Sequence, residues 1–374
     1  MNYKKLLIIT PTSPQQDSTF IKAQISNLKP FSILHSGFRP YLINGKSIFH
    51  FPIKNELLRV GIKRILPNLY TRIYEKTLCN FLLTEKYNVV LCNYGPQSSN
   101  VYKACLDSGT PLVAHFHGYD ASIYSVLSEY KEQYRTMFKG ISAIISVSND
   151  MTAQLVSLGA DKDKIQTIPY GVNLNLFSEA HPEQNKRKFI FVGRFTEKKA
   201  PDLLLKAFKK ALQKVPDAKL VMIGNGELYD LVKSTIAELK IEHAVQILDW
   251  QTPDEIARQM KTARAYVQHS RIASNGDSEG TPNSILEASA CGLPVISTYH
   301  TGIKEAVKHG ITGFLVEEGN WDLMGEYMTE LLENPIMAGK MGRAAREHML
   351  LNYSLDSQID KLKHLLSTVA RKDA

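Results

Sequence analysis

The sequence predicts an α/β protein of two domains, the first an open parallel sheet with helices on both faces. Three observations carry this. The 374-residue length suits two domains, each able to bury its own core. The 44% apolar and 22% charged shares are those of a soluble globular chain. Short apolar runs bounded by turn residues alternate with helical patterns, the signature of strand–helix–strand units.

Taken in order, the strands expected in the first half are Lys5–Ile9, Arg39–Ile43, Val89–Asn93, Leu112–Phe116, Ala143–Val147 and Ile165–Ile168. The apolar run Leu6–Ile9 is too short for a signal-peptide core, and no stretch approaches the roughly 20 apolar residues of a membrane span. After the first strand, Asp17 or Ser18 suits a helix N-cap. Residues 53–78 mix six basic and two acidic side chains with Leu57, Leu58, Val60, Ile62, Ile65, Leu66, Leu69 and Tyr70. Such a basic amphipathic stretch can lie on a membrane surface, and it can equally be a solvated helix on its own sheet. The strand ending in His115-Phe-His117-Gly118-Tyr-Asp120 points both histidines the same way. Ser148 or Asn149 begins a helix that Gly159 ends. Residues 178–188 are polar and contain Pro182, a linker by composition.

In the second half, the strand Lys188–Val192 runs into Gly193-Arg194 and Lys198-Lys199, placing cations at a carboxyl edge, where open sheets bind ligands. Two surface charges would be the plain reading. Leu220–Gly224 follows, and its Gly224-Asn-Gly226 turn allows a tight backbone approach to a nucleotide, although G-x-G alone is weak evidence. Val245–Leu248 and Ala265–Gln268 lead to the segment around which the chain is organised, EGTPNSILEASACGLPVIST from Glu279. Gly280, then Thr281 as N-cap and Pro282 as first helical residue, read as a helix start, with Asn283 following and Gly292 near the end. A helix N-terminus is a ready phosphate site. Glu287, about a turn and a half in, can accept both hydroxyls of a ribose, and Glu279 at the mouth can accept sugar hydroxyls. A buried strand, Val295–Ser297, follows.

The whole string, with Gly302 and the TGFLV at 312–316, resembles the donor-site signature of retaining glycosyltransferases of family 4, which have the GT-B fold. The S-x-TFI at 18–21 and the HGYDAS string at 117–122 resemble the exopolysaccharide subgroup of colanic-acid and amylovoran type. The resemblance is strongest at 112–177, 188–200 and 269–316. It implies two Rossmann-like domains facing across a cleft, the acceptor held by residues 1–177 and the nucleotide-sugar by 189–350. A last helix in 351–374 is implied to cross back to the first domain. It implies that His117 lies near the sugar 6-hydroxyl and reaction centre, and that Arg194 and Lys199 pair with the donor diphosphate. Asp120 would orient the loop or touch the acceptor, and His115 belongs to the core. The nucleobase is expected near the loop holding Trp250. The Gly-Gly pair common in the family's first loop is missing from residues 10–17. The implied reaction is metal-independent transfer with retention, the charge on the departing diphosphate being met by Arg194, Lys199 and the helix N-terminus. No cofactor and no metal are expected, and Asn275-Gly-Asp277 is not a D-x-D metal motif.

Charge is uneven. Residues 1–103 carry 14 basic and 4 acidic side chains, while 176–374 carry 26 of each. The excess attracts phosphate-rich partners: an anionic membrane or a lipid diphosphate. No recognition motif supports nucleic acid. Cys79, Cys92, Cys105 and Cys291 have neither metal nor disulfide spacing, which suits a reducing cytoplasm, with peripheral attachment to the inner membrane face as an extension. Two alternatives to a glycosyltransferase stand beside this reading. One is a nucleotide-sugar 2-epimerase on the same fold. The other is a non-catalytic nucleotide-sugar-binding subunit, against which the two glutamates, Arg194 and Lys199 argue.

Overall fold

A computed structural model describes residues 4–11, 18–36, 41–42, 46–49 and 56–372. The chain folds as two compact units. Met1–Val147, Met151–Ile168 and Ile359–Ala374 supply the first, and Ser148–Asp150 with Pro169–Gln358 the second.

The first unit is a sheet of strands β1 (Leu6–Thr10), β2 (Ser32–His35), β3 (Tyr41–Leu42), β4 (Val89–Asn93), β5 (Leu112–His115), β6 (Ala143–Ser146) and β7 (Ile165–Thr167). Their order is β3-β2-β1-β4-β5-β6-β7. All neighbours run parallel except β2 and β3, which are antiparallel. The strand expected at Arg39–Ile43 is therefore an antiparallel edge strand of two described residues, and β2 was not anticipated. SILH is too short to show a period, and only its pairing to β1 makes it a strand. β1, β4, β5 and β6 are buried along their whole length, as continuous apolar runs in a covered parallel sheet should be. Arg371 ties the C-terminal segment to this unit. Its N–H donates to Asn88 O at 3.1 Å and its Nε to Tyr87 O at 2.9 Å.

The basic stretch forms two helices, Glu56–Ile65 and Pro67–Glu85, separated at Leu66 because Pro67 disfavours helical geometry in the residue before it. Leu57 and Ile65 are 83% and 75% exposed, and Arg64 is exposed beside them. No described helix is long and apolar enough to cross a membrane. The expected cap at Asp17 lies outside the described residues, and Ser18 takes the N-cap position of helix Thr19–Leu28 without a side-chain bond.

The second unit holds β8 (Lys188–Val192), β9 (Lys219–Ile223), β10 (Val245–Leu248), β11 (Ala265–Val267), β12 (Val295–Thr298) and β13 (Gly313–Val316), all parallel, in the order β10-β9-β8-β11-β12-β13. Alternate residues feed two cores. Phe189, Phe191, Leu220, Met222 and Val267 pack under helices Pro201–Lys214 and Trp321–Glu333. Ile190, Val192, Val221, Ile223 and Tyr266 pack with Ile285 and Leu286 of helix Asn283–Ala290 on the other face. Each such side chain, fully buried, contributes about 1.5–3 kcal/mol of transfer free energy.

Residues 178–188, expected as a linker, are instead packed on this unit. Ala180 N–H donates to Cys291 O at 2.7 Å, and Asn185 Nδ2 donates to Lys261 O and Ala263 O at 2.8 and 2.7 Å. The chain passes between units at Ile168 and Pro169. Most polar side chains of the segment do face water; what holds it to the second unit is the buried Ala180 and Pro182 and the Asn185 amide on two backbone carbonyls.

Candidate active site

Both sheets reverse strand order once, between β1 and β4 in the first unit and between β8 and β11 in the second. Ligands of such sheets bind beyond the carboxyl ends at the reversal. In the second unit that point receives the chain after β8, with Gly193, Arg194 and Lys199, and the chain after β11, with Glu279.

Gly193 and Gly224 make room there. Gly224 has φ +143°, and a Cβ on it would lie 2.1 Å from Gly193 O; a Cβ on Gly193 would lie 2.9 Å from Lys199 Cδ. The close approach at Gly224 is thus of backbone to backbone, and Phe195 N–H donates to Asn225 O across the same turn at 2.9 Å. Lys199 is consequently laid across the strand end. Its Nζ lies 2.8 Å from Glu279 Oε1, the two side chains being 12% and 9% exposed, and 3.3 Å from Gln268 Oε1. The Glu279 pair is ionic rather than a well-aimed hydrogen bond, because Oε1 finds no donor at hydrogen-bond geometry. Burial would raise the Glu279 pKa, but Lys199 and then Lys198 outweigh it and hold the carboxyl down at about 2. Lys198 pairs with Asp277 Oδ1 at 3.0 Å. The turn Glu197–Lys199 points both lysines at the loop that follows β11.

Thr281 is not the helix cap. Pro282 holds that position, with φ −64° and ψ 120°, and the helix is Asn283–Ala290. The start lies one residue late because Gly280 is pinned, its O accepting from Gly302 N–H at 3.0 Å. Among the described residues no acceptor meets the N–H groups of Asn283 and Ser284, so the helix keeps its anion-binding character. Ser284 Oγ lies 2.8 Å from Tyr266 OH, which also donates toward Gln268 Oε1 at 2.8 Å. That buried network joins the helix start to Lys199, and its members Tyr266 and Gln268 were missed in the sequence; only their place at a strand end marked them.

Glu287 lies half-buried on this helix, its carboxylate without a hydrogen-bond partner among the described residues, and burial pushes its pKa up to about 7. Arg194 is exposed and makes no side-chain bond or ion pair to a described residue. Trp250 is exposed in the turn after β10.

In the first unit, His117 follows β5 and stacks on Phe20, ring centroids 4.2 Å apart. Its Nε2 lies 2.9 Å from Asn93 Oδ1, so Nε2 carries the proton and donates. Burial and then His115 hold its pKa well below the ordinary value; burial alone takes His115 down to about 3. Both rings are neutral. His115 is core, bonded through Nδ1 to Gln24 Nε2 at 2.9 Å.

Asp120 has no exposed surface. Its Oδ1 accepts from the N–H groups of His117 and Gly118, each at 2.9 Å, and Oδ2 from Gly95 N–H at 2.9 Å and His117 N–H at 3.2 Å. Burial still lifts its pKa above the ordinary aspartate value, against those bonds. Asp120 therefore orients the loop that carries His117.

Two sheets of reversed order, with cations and carboxylates at the carboxyl edge of the second, define a GT-B glycosyltransferase fold. Residues 175–348 match glycosyl transferases group 1, and residues 46–176 match Glycosyltransferase Family 4. Together the two models cover residues 46–348 with the two domains of a GT-B glycosyltransferase. The chain is similar to the amylovoran biosynthesis glycosyltransferase AmsK of Erwinia amylovora, at 28% identity over 69% of this chain. That match spans 64% of the Erwinia protein's own length, under two thirds. It is also similar to a GDP-mannose-dependent monoacylated alpha-(1-6)-phosphatidylinositol monomannoside mannosyltransferase of Corynebacterium glutamicum, at 25% identity over 70% of this chain and 71% of that one. In three dimensions it is similar to HepE of Anabaena in complex with UDP-glucose, with TM-score 0.74, 17% identity, and 97% and 99% of the two chains covered. The fold expected from the sequence is borne out.

Proposed function

We propose that this chain is a retaining, metal-independent glycosyltransferase that moves a sugar from a nucleoside-diphosphate sugar to a glycan or lipid-linked acceptor in exopolysaccharide or cell-surface glycan synthesis. The observation that carries the reading is the meeting of Lys199 and Glu279 at the reversal point of the second sheet, beside a helix with unmet N–H groups. When the bond from the anomeric carbon to the diphosphate breaks, negative charge develops on the departing oxygen. Lys199, Arg194 and the helix N-terminus supply fixed positive potential for it. Arg194, exposed and without a partner among the described residues, is ready for a bidentate phosphate contact. Glu279 accepts sugar hydroxyls and Glu287 the ribose hydroxyls. Neutral His117, presented by Asp120, serves the sugar near its 6-hydroxyl.

The acceptor reading rests on the first unit. Its basic excess, with Leu57 and Ile65 exposed among basic side chains, suits an anionic membrane surface and an acceptor on a lipid diphosphate at the cytoplasmic face. The names of the Erwinia and Corynebacterium relatives, a polysaccharide enzyme and a phosphatidylinositol mannoside enzyme, support that range.

The test is a thermal-shift screen of UDP- and GDP-sugars, followed by single-turnover release of nucleotide from the donor that binds. One nucleotide class should stabilise the chain, by about 2.7 kcal/mol at a hundredfold excess over Kd. Binding without any turnover would instead make the chain a non-catalytic subunit. No stabilisation by either class would reject the reading.

A further inference from the structure

One carboxylate grips both ends of the stretch that delivers Glu279. Residues 268–282 join β11 to the helix Asn283–Ala290, and Glu279 is carried by the part from 271 onward. At the start of that part, Ile272 N–H donates to Glu318 Oε2 at 3.0 Å. At its end, Glu279 N–H donates to His300 Nε2 at 3.0 Å, and His300 Nδ1 lies 2.5 Å from Glu318 Oε1. Because Nε2 accepts, the ring proton sits on Nδ1 and is donated to Glu318. His300 is 1% exposed, so its bond to Glu279 N–H is shielded from water, whereas Glu318 keeps a third of its side chain exposed and meets Ile272 N–H at the surface.

The residues after His300 tighten the grip. Thr301 Oγ1 donates to Glu279 O at 2.5 Å. Thr301 has φ +36°, a left-handed conformation uncommon for a β-branched residue and held only where its surroundings demand it. Gly302 N–H donates to Gly280 O, and a Cβ on Gly302 would lie 2.3 Å from that oxygen, so only glycine lets the two backbones meet. All these bonds act on the backbone of residues 279–280. The side chain of Glu279 is left to face Lys199.

We propose that His300 and Glu318 are positioning residues of the donor site: the imidazole, its tautomer set by Glu318, fixes the backbone of Glu279 and thereby aims its carboxylate at Lys199 and the donor sugar. This rests on the reading of Glu279 as a donor-site residue. The His300 ring does not need to touch donor, and its effect should appear in turnover rather than in nucleotide affinity.

The experiment uses the full chain. Hydrogen exchange followed by mass spectrometry should show the 271–284 peptide exchanging about tenfold faster or more in His300→Ala and in Glu318→Ala, with peptides of β8 and β9 unchanged. His300→Gln, whose amide oxygen can reach the same N–H, should restore slow exchange. With UDP-glucose or GDP-mannose, whichever stabilises the chain, kcat for donor hydrolysis should fall by about 10–100-fold while donor KM stays within about twofold. The exchange readout needs no substrate and decides the structural half alone. Wild-type exchange in both alanine variants would overturn the proposal, as would a loss in His300→Gln equal to that in His300→Ala. Glu279→Gln separates the two readings. If it abolishes turnover while His300→Ala does not, this inference fails; if it turns over like wild type, the donor-site role of Glu279 fails.

Discussion

Nζ of Lys199 and Oε1 of Glu279 lie 2.8 Å apart at the carboxyl edge of the second sheet, each side chain nearly buried. The pair joins the chain after β8 to the chain after β11, and it makes stability depend on pH. The Glu279 pKa is depressed to about 2, so the stabilisation is present above the ordinary glutamate value and is lost as pH falls through about 2. Its size is on the order of 3 kcal/mol. Melting curves between pH 6 and pH 3 should fall more steeply for wild type than for Glu279→Gln. Parallel curves would remove the pair from the acid response.

Glu287 behaves in the opposite sense. Burial lifts its pKa to about 7, so the folded state favours the protonated form and stability falls as pH rises from the ordinary glutamate range through about 7. Glu287→Gln should raise stability at pH 8 by on the order of 2 kcal/mol after allowance for partial exposure, read as a higher melting temperature. The same change should weaken nucleotide-sugar binding about tenfold or more, because hydrogen bonds to a charged acceptor contribute about 1.5–3 kcal/mol. Calorimetry in buffers of different ionisation enthalpy should show proton release on donor binding near pH 7. A stabilised variant with unchanged affinity would free Glu287 from the ribose.

Asp120→Ala would leave the N–H groups of Gly95, His117 and Gly118 buried without an acceptor. A loss on the order of 3 kcal/mol or more is expected, with turnover reduced even where the variant stays folded, since His117 loses its support. If stability held and only the acceptor KM rose, Asp120 would be a substrate contact.

Arg194→Ala should cost turnover with little change in melting temperature, because the exposed guanidinium makes no bond to a described residue. A chelator should leave the rate of the wild-type protein unaltered. Strict dependence on added Mg²⁺ would replace the fixed-charge account of the departing diphosphate with a metal-based one.

Sedimentation with anionic and neutral vesicles tests the membrane face. Binding to the anionic vesicles at low salt should weaken at high salt, each basic side chain near the surface contributing about 1 kcal/mol. Replacing Lys63, Arg64 and Arg72 by Gln should reduce binding and leave donor hydrolysis intact. Equal, negligible binding to both vesicle types at low salt would point to a soluble acceptor.

The sequence by itself determined the α/β class and most strands. Val89–Asn93, Lys188–Val192 and Val245–Leu248 keep the bounds expected of them; the first two are apolar over most of their length, as strands covered on both faces are, while β10 at the sheet edge exposes Gln246. It also marked Arg194, Lys199, Glu279 and Glu287, since glycine and helix-start residues around them follow local backbone rules. Tertiary structure alone decided which charges meet. That β11 lies beside β8 brings Glu279 to Lys199 and Asp277 to Lys198, and strand order is not a local property. It moved the helix start from Pro282 to Asn283, turned β3 antiparallel, and placed residues 178–188 on the second unit. The opposite shifts of Glu279 and Glu287 follow from the same cause. Both are carboxyls of one segment, Glu279 buried and Glu287 half-buried, and the arrival of a distant lysine beside the more buried one is what drives its pKa down while the other rises.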